Sequence, residues 1–576
     1  MTDAILERPQ HSQAFRLRRF LNWFPMGLTY AFLYMARYNL TVSKLALGEM
    51  MSNLEFGIIF SAGTFAYAFA FLINGPLTDR IGGKKAILIG ATGSAIANTL
   101  MGIIIYGLLV LNWTLNLTLV FSILYIFNMY FQSYGAVAIV KVNASWFHVR
   151  ERGVFGGIFG ILISLGLYFA FDWGGAIVNA TRGAATDLGF FENLLRRIIG
   201  VSDTAVDQTW WVFFIPAIIL MLFVIIEIFL LRDRPGEAGF EDFDTADASS
   251  GEEDKQFNLK EILIKILTNP IILTIAIIEF CSGIMRNGIM HWYKIFSSYL
   301  GYVKGFFFDA NWGLLLMFAG VTGGLFAGFL SDKVFGSRRG PVAALLYGLM
   351  LISTIAMWPF VTASNKSIKK EITVQIYHQL IAEKSQYGKL DLEKLEDELK
   401  KNYTVYDNNF KIIDGDSISI FRIKPLPGKE SEMSATKVND ILLLKYERFN
   451  KFQNKTEERE IKIKDVGKVI GVSINGTAIA LGLIVVFMSL CVIGVHGMLS
   501  GTATMDFGGR RAAATAVGLI DGFVYLGTGF QSIVIGALTQ WNWDYWPLFL
   551  IPFAILGLIL SIKIWYAFPQ AKRKGR

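Results

Sequence analysis

The chain has 576 residues, of which 53% are hydrophobic and only 17% charged. Soluble domains carry about 25% charged residues, so this composition excludes a water-soluble multidomain protein and points to a polytopic membrane protein. The formal net charge of +8 is read through its placement in loops, and no nucleic-acid partner is expected.

Basic residues Arg16, Arg18 and Arg19 precede an apolar run of span length that lacks a small-residue cleavage site, which reads as an uncleaved first span. Runs of about 20 apolar residues mark twelve spans. The first six lie near 22–46, 54–77, 86–109, 117–141, 154–177 and 209–231. The second six lie near 269–293, 308–330, 341–361, 473–499, 513–538 and 544–567. Arg80, Lys84 and Lys85, then Arg150 and Arg152, Arg232 and Arg234, Lys333, Arg338 and Arg339, and Arg510 and Arg511 fall in loops on one side, together with the tail AKRKGR. The positive-inside rule makes that side cytoplasmic, with both termini there, in a cell (inner) membrane. The loop carrying Arg182, Arg196 and Arg197 is an exception.

Residues 233–258 are acidic and rich in small residues, as in a flexible tether. Residues 362–470 are too polar to span and interrupt spans 9 and 10 on the outer side. Within them KLDLEKLEDELKKN has helical spacing, while YTVYDNNFKII and SISIFRIKPL alternate like strands. The expected organisation is an N-terminal six-helix half (1–232), a cytoplasmic linker (233–258), spans 7–9 (259–361), an extracytoplasmic insertion (362–470) and spans 10–12 (471–576). The fold class is an all-α membrane protein of two six-helix pseudo-symmetric halves with a small α+β insertion, either a tolerated elaboration or a lid or partner module.

The halves echo one another. GPLTDRIGGKK (75–85) returns as GFLSDKVFGSRRG (328–340), each with an aspartate, Asp79 or Asp332, and a basic cluster. A lone intramembrane arginine precedes each copy, Arg37 by 42 residues and Arg286 by 46. Such recurrence indicates an internal duplication. A charge at mid-bilayer costs at least ~2.5–3.5 kcal/mol, so it is a functional site by default. Arg37 lies about 15 residues into span 1, roughly 22 Å along the helix and past the midplane. Guanidinium groups are forks of donors that suit phosphate or carboxylate, so Arg37 and Arg286 are expected to clamp a small anionic substrate. The alternative is structural pairing, of Arg286 with Glu279 and of Arg37 with Asp172 or Asp521. Tyr30 and Tyr34 share a helix face with Arg37 and are candidate substrate ligands or packing residues, with Tyr38 and Tyr525 weaker candidates. Asp79, Arg80 and Asp332 are expected to act in gating, a carboxylate resting on a helix N-terminus in one conformation only. His496 reads as a buried hydrogen-bonded histidine or a proton relay. No Gly-rich phosphate loop, HExxH, GxSxG or Cys/His cluster occurs, so no enzyme activity, cofactor or metal site is expected. Cys281 and Cys491 lie in apolar spans and are not expected to form a disulfide.

At these residues the chain resembles the major facilitator superfamily, through the two loop signatures. Within it the chain is similar to the organophosphate:phosphate antiporters, through YAFLYMARYN (30–39), WFHVRERG (146–153), RNGIMHWY (286–293) and RRAAATAVGLIDGFVYLG (510–527). The resemblance implies that Arg37 and Arg286 grip phosphate, with Tyr34 and Tyr30 beside them, in a monomeric carrier that exchanges a phosphorylated metabolite for inorganic phosphate. Glycerol-phosphate carriers have a lysine in span 2 where this chain has Phe71 and a histidine in span 5 where it has Ile163, which leaves open a larger sugar phosphate, a phosphonate or another organic anion. A non-transporting sensor of the same fold is the alternative.

Overall fold

The computed structural model describes residues 11–148, 151, 160–162, 164–182, 188–201, 207–243, 268–300, 306–336, 338–368, 372–378, 403–413, 416–425, 444–450, 455–461, 466–467, 476–499 and 513–566. In the first half, α1 (Gln13–Leu47), α2 (Asn53–Ile81), α3 (Gly83–Leu109) and α4 (Leu117–Trp146) run in succession. They are followed by α5 (Gly160–Ala180), the short amphipathic α6 (Phe190–Ile199) and α7 (Trp211–Leu230). The second half contains α8 (Pro270–Leu300), α9 (Trp312–Val334), α10 (Arg339–Ile368), α11 (Gly476–Leu499), α12 (Ala513–Trp541) and α13 (Tyr545–Lys563).

Among the described residues eleven helices are long and apolar enough to cross a membrane, one fewer than the twelve expected. The twelfth is α1. It has 35 residues, ample length, but it carries Asn22, Thr29, Arg37, Asn39, Thr41 and Ser43, all buried. Its polar side chains are satisfied by protein and do not face lipid, which is why apolarity alone does not find it.

Local chemistry sets the helix boundaries. Ser52 and Glu55 form a capping box at the start of α2. Gly82 ends α2 with φ of 89°, a conformation that favours glycine, and a Cβ there would sit 2.7 Å from Asp233 Oδ2. Asp233 Oδ1 accepts from Lys84 N at 2.7 Å and so occupies the N-terminus of α3. The basic outer loop is explained by Arg196, whose Nη1 donates to the carbonyls of Ala180 (3.0 Å) and Arg182 (2.6 Å) at the end of α5.

The helices separate into close partnerships. In the first half α2 packs on α4, α3 on α4 and α7, and α1 on α7; in the second, α8 packs on α12 and α13; α2 and α12 join the halves. Cys281 and Cys491 are buried free thiols.

The chain forms two compact units: Met1–Ile295 with Asn311–Trp358 and Leu483–Arg576, and Phe296–Ala310 with Pro359–Gly482. The expected insertion falls in the second. Its described strands are β1 (Ile372–His378), β2 (Tyr403–Ile413), β3 (Asp416–Pro425), β4 (Leu444–Asn450), β5 (Lys455–Ile461) and β6 (Val466–Gly467). One sheet has the order β2-β3-β1-β6, with β1 and β3 antiparallel and Val374 opposite Phe421. The pair β4–β5 stands apart as a two-stranded sheet. The α part of the expected α+β insertion falls on 389–402, outside the described residues, and is not supported by those that are described.

Candidate functional site

Arg37 is fully buried. Its Nε donates to Gln132 Oε1 at 2.8 Å and its Nη1 to the Tyr525 hydroxyl at 3.1 Å. The guanidinium carbon lies over the rings of Tyr67 (4.5 Å) and Tyr34 (4.9 Å), close enough for cation–π attraction. Tyr38 and Tyr525 complete the aromatic surround at 5.8 and 5.9 Å. Arg37 Nη2 is buried and meets no acceptor at hydrogen-bonding geometry among the described residues. A charge held this way is oriented while one donor stays uncommitted.

Gln132 is itself held. Its Nε2 donates to Ser94 Oγ (3.2 Å) and Asn128 Oδ1 (3.1 Å). Asn98 Nδ2 also reaches Asn128 Oδ1 at 3.2 Å, and Asn39 Nδ2 reaches Asn98 Oδ1 at 2.7 Å. These buried amides tie α1, α3 and α4 into one network that fixes the arginine from behind.

Arg286, on α8, is only partly buried, and its Nε has no hydrogen-bond partner among the described residues. The phenols of Tyr34 and Tyr38 lie within electrostatic range of both guanidinium groups, and Tyr525 is within range of Arg286 as well as bonded to Arg37. Two arginines from equivalent helices therefore address one cluster of phenols.

The alternative pairings do not form. Glu279 is engaged by His496 Nδ1 at 2.8 Å. Asp172 accepts from the backbone of Gly313 (2.7 Å) and Leu314 (2.9 Å). Tyr30 stacks edge-on to Tyr34 at 5.5 Å and lies against α4, where a Cβ on Gly135 would stand 2.9 Å from its ring. Phe71 packs on Tyr67 at 4.7 Å, beside the cluster and apolar where a cation was expected from the resemblance. Ile163 lies outside the described residues. Tyr67 and Gln132 were not anticipated; the only sequence signal was polar residues interrupting apolar spans.

Asp79, Arg80 and Asp332 are remote from this cluster. Asp79 is in the last turn of α2 and accepts from Lys141 Nζ at 2.8 Å. Asp332 is in a π-helical turn ending α9 and pairs with Arg339 at 3.2 Å. Arg80 is exposed. Neither carboxylate rests on a helix N-terminus as expected, because each is met by a basic side chain of its own half; Asp233 takes that place at α3.

At the opposite end the halves meet directly. Thr41 Oγ1 is 2.7 Å from His291 Nδ1, and His291 is ringed by Tyr38, Phe56, Phe60 and Phe171. Ser61 donates to the Gly529 carbonyl, and Asn53 Nδ2 reaches Thr539 Oγ1 at 3.2 Å. The Asp172 contact with α9 belongs to the same end.

Comparison with known proteins follows this geometry. The Bacillus subtilis glycerol-3-phosphate transporter is 28% identical over 354 residues, 60% of this chain and 71% of that protein. The Escherichia coli membrane sensor protein UhpC is 24% identical over 343 residues, 58% and 69%. A probable hexose phosphate transport protein of Chlamydia trachomatis is 24% identical over 384 residues, 62% and 73%. Among solved structures, an inward-facing, unoccupied bacterial homolog of the human lysosomal transporter Spinster superposes with a TM-score of 0.59 at 12% identity, covering 97% of this chain and 98% of that one. A D-xylose–proton symporter superposes with a TM-score of 0.54 at 10% identity, covering 95% and 98%. These likenesses give the fold. The sequence profile of the Major Facilitator Superfamily matches residues 26–368, more than half of the chain, and the protein belongs to that family.

Proposed function

We propose that this protein is a secondary transporter of a phosphorylated organic anion, exchanged for inorganic phosphate by alternating access. The observation that carries the reading is the pair of arginines, Arg37 and Arg286, addressing one set of phenols from equivalent helices of the two halves. An anion bridging them supplies the acceptors that Arg37 Nη2 and Arg286 Nε lack. Names borne by relatives, among them glycerol-3-phosphate, phosphoglycerate and hexose phosphate transporters, support this substrate class.

Positive-inside loops put the end bearing Asp79 and Asp332 in the cytoplasm of a cell (inner) membrane, with both termini there. The sealed end around His291 is then the outer face, and the protein stands open inward. Substrate enters near the partly exposed Arg286. It reaches Arg37 by replacing the Tyr525 hydroxyl, a bond between halves whose loss frees them to rock. Asp79, Arg80 and Asp332 act at the inner gate, and the carrier works as a monomer in the bilayer.

The test is exchange of labelled phosphate by reconstituted vesicles. Arg37→Lys and Arg286→Lys each remove a planar fork while keeping the charge, and each is expected to lower exchange at least tenfold. Normal exchange by both variants would falsify the clamp. The printed function of the Escherichia coli relative favours a second reading, a sensor. A sensor binds phosphate in a thermal-shift assay yet moves none in the vesicles.

A further inference from the structure

We propose that Glu279 and His496 form a proton-binding site that couples anion movement to the pH gradient. Glu279 lies on α8 and is fully buried; His496 on α11 is 23% exposed, and the two meet at 2.8 Å between Oε2 and Nδ1. A carboxylate removed from water demands a partner or a proton. Oε2 has its partner, but Oε1 is buried with none among the described residues. The pair shares one proton as it stands, and Oε1 is the open position for a second, delivered from solvent through the more exposed imidazole.

The charged and titratable groups around the pair support that assignment. Asp521 reaches it electrostatically from α12, Arg286 and Cys281 from α8 itself, and Tyr347 from α10. The Tyr347 hydroxyl is committed to the Ile278 carbonyl at 2.7 Å and Cys281 is a buried free thiol, so neither competes for the proton. Arg286 stands seven residues beyond Glu279, two turns on the same helix and roughly 10 Å away. Its positive charge repels an added proton on the pair. An anion on Arg286 cancels that repulsion, so anion and proton bind cooperatively. At an effective dielectric of about 20, unit charges at about 10 Å change each other's binding on the order of tenfold. By linkage the effect is mutual. Phosphate arriving from an acidic side therefore brings a proton with it, and the loaded carrier returns it on the alkaline side.

This inference rests on reading Arg286 as an anion ligand, so two fluxes are measured with the full chain in vesicles. One is exchange of labelled phosphate at equal pH, which needs no net proton movement. The other is accumulation of labelled phosphate in phosphate-free vesicles when the outside is made more acidic. Wild type is expected to perform both. Glu279→Gln, which keeps the hydrogen bond and removes the titration, is expected to exchange within about twofold of wild type while losing pH-driven accumulation at least tenfold. His496→Gln carries the same expectation and guards against a folding defect in one variant. Wild-type exchange with no pH-driven accumulation overturns the coupling and leaves the anion site standing, as does undiminished accumulation by both variants. Loss of exchange by both variants makes the pair structural and overturns it too. Wild type that exchanges nothing overturns the anion site, and this inference with it.

Discussion

Arg37 illustrates how a charge is kept where lipid would expel it. The compensation is divided: one hydrogen bond to Gln132, one to Tyr525, and two ring faces from Tyr34 and Tyr67. Gln132 is the contact that orients without touching substrate, since its amide is locked by Ser94 and Asn128. Replacing it by leucine leaves a guanidinium nitrogen unpaired, and a hydrogen bond to a charged group is worth about 1.5–3 kcal/mol. Gln132→Leu is therefore expected to weaken phosphate binding by about tenfold to a hundredfold while the protein still inserts, as read by titration of the purified carrier. At this scale Arg37 and Arg286 were legible in the sequence because intramembrane charge is rare. Tyr67 and Gln132 were not, because they reach the arginine from α2 and α4, and no spacing within α1 encodes that meeting.

Among the elements, α5 shows the most specific local device. A π-helical turn, Phe169–Trp173, carries Asp172 to the start of α9, where its carboxylate accepts from Gly313 and Leu314. Those amides belong to the first turn of a helix and would otherwise lack partners. The carboxylate also meets the positive end of the α9 dipole. It thus joins the halves by a contact that must break when the sealed end opens. Asp172→Asn is expected to weaken that closure by about 1 kcal/mol, a roughly fivefold rise in the opened population. The rise would be read as faster maleimide labelling of a cysteine at Thr41 in a chain lacking Cys281 and Cys491, and an unchanged rate would exclude a latch. The sequence located Asp172 only as an intramembrane acid and suggested Arg37 as its partner. A π turn has no compositional signature, and the re-aimed side chain follows from it. Asp79 and Asp233 make the same point in reverse: both sit near the α2–α3 turn, but only folding decides which one meets the helix N-terminus.

For the molecule as a whole, helix positions were largely readable from apolar run length, and the halves from their duplicated loops. What ties distant segments was less visible. Arg19 of α1 grips Glu151 beyond α4 through two bonds of 2.9 and 3.3 Å and stacks over Phe147 at 4.4 Å. Burial alone would raise the Glu151 carboxyl, but the hydrogen bonds from Arg19 outweigh it and hold the carboxyl below the usual carboxylate range. A depressed folded-state value means the stabilisation is complete at neutral pH and is lost as pH falls below about 4. Thermal unfolding in detergent should therefore separate wild type from Glu151→Gln at pH 7, and the two should converge in acid. A gap that persists in acid would assign the difference to packing.

The buried polar content of α1 has a consequence for biogenesis. A segment carrying Asn22, Thr29, Arg37 and Asn39 gains little by leaving the translocon for hydrocarbon on its own. It must wait at the lateral gate until α3, α4 and α7 emerge with the amides and carbonyls that receive it. The first helix to be synthesised is thus among the last of its half to settle, and the order of synthesis is not the order of assembly.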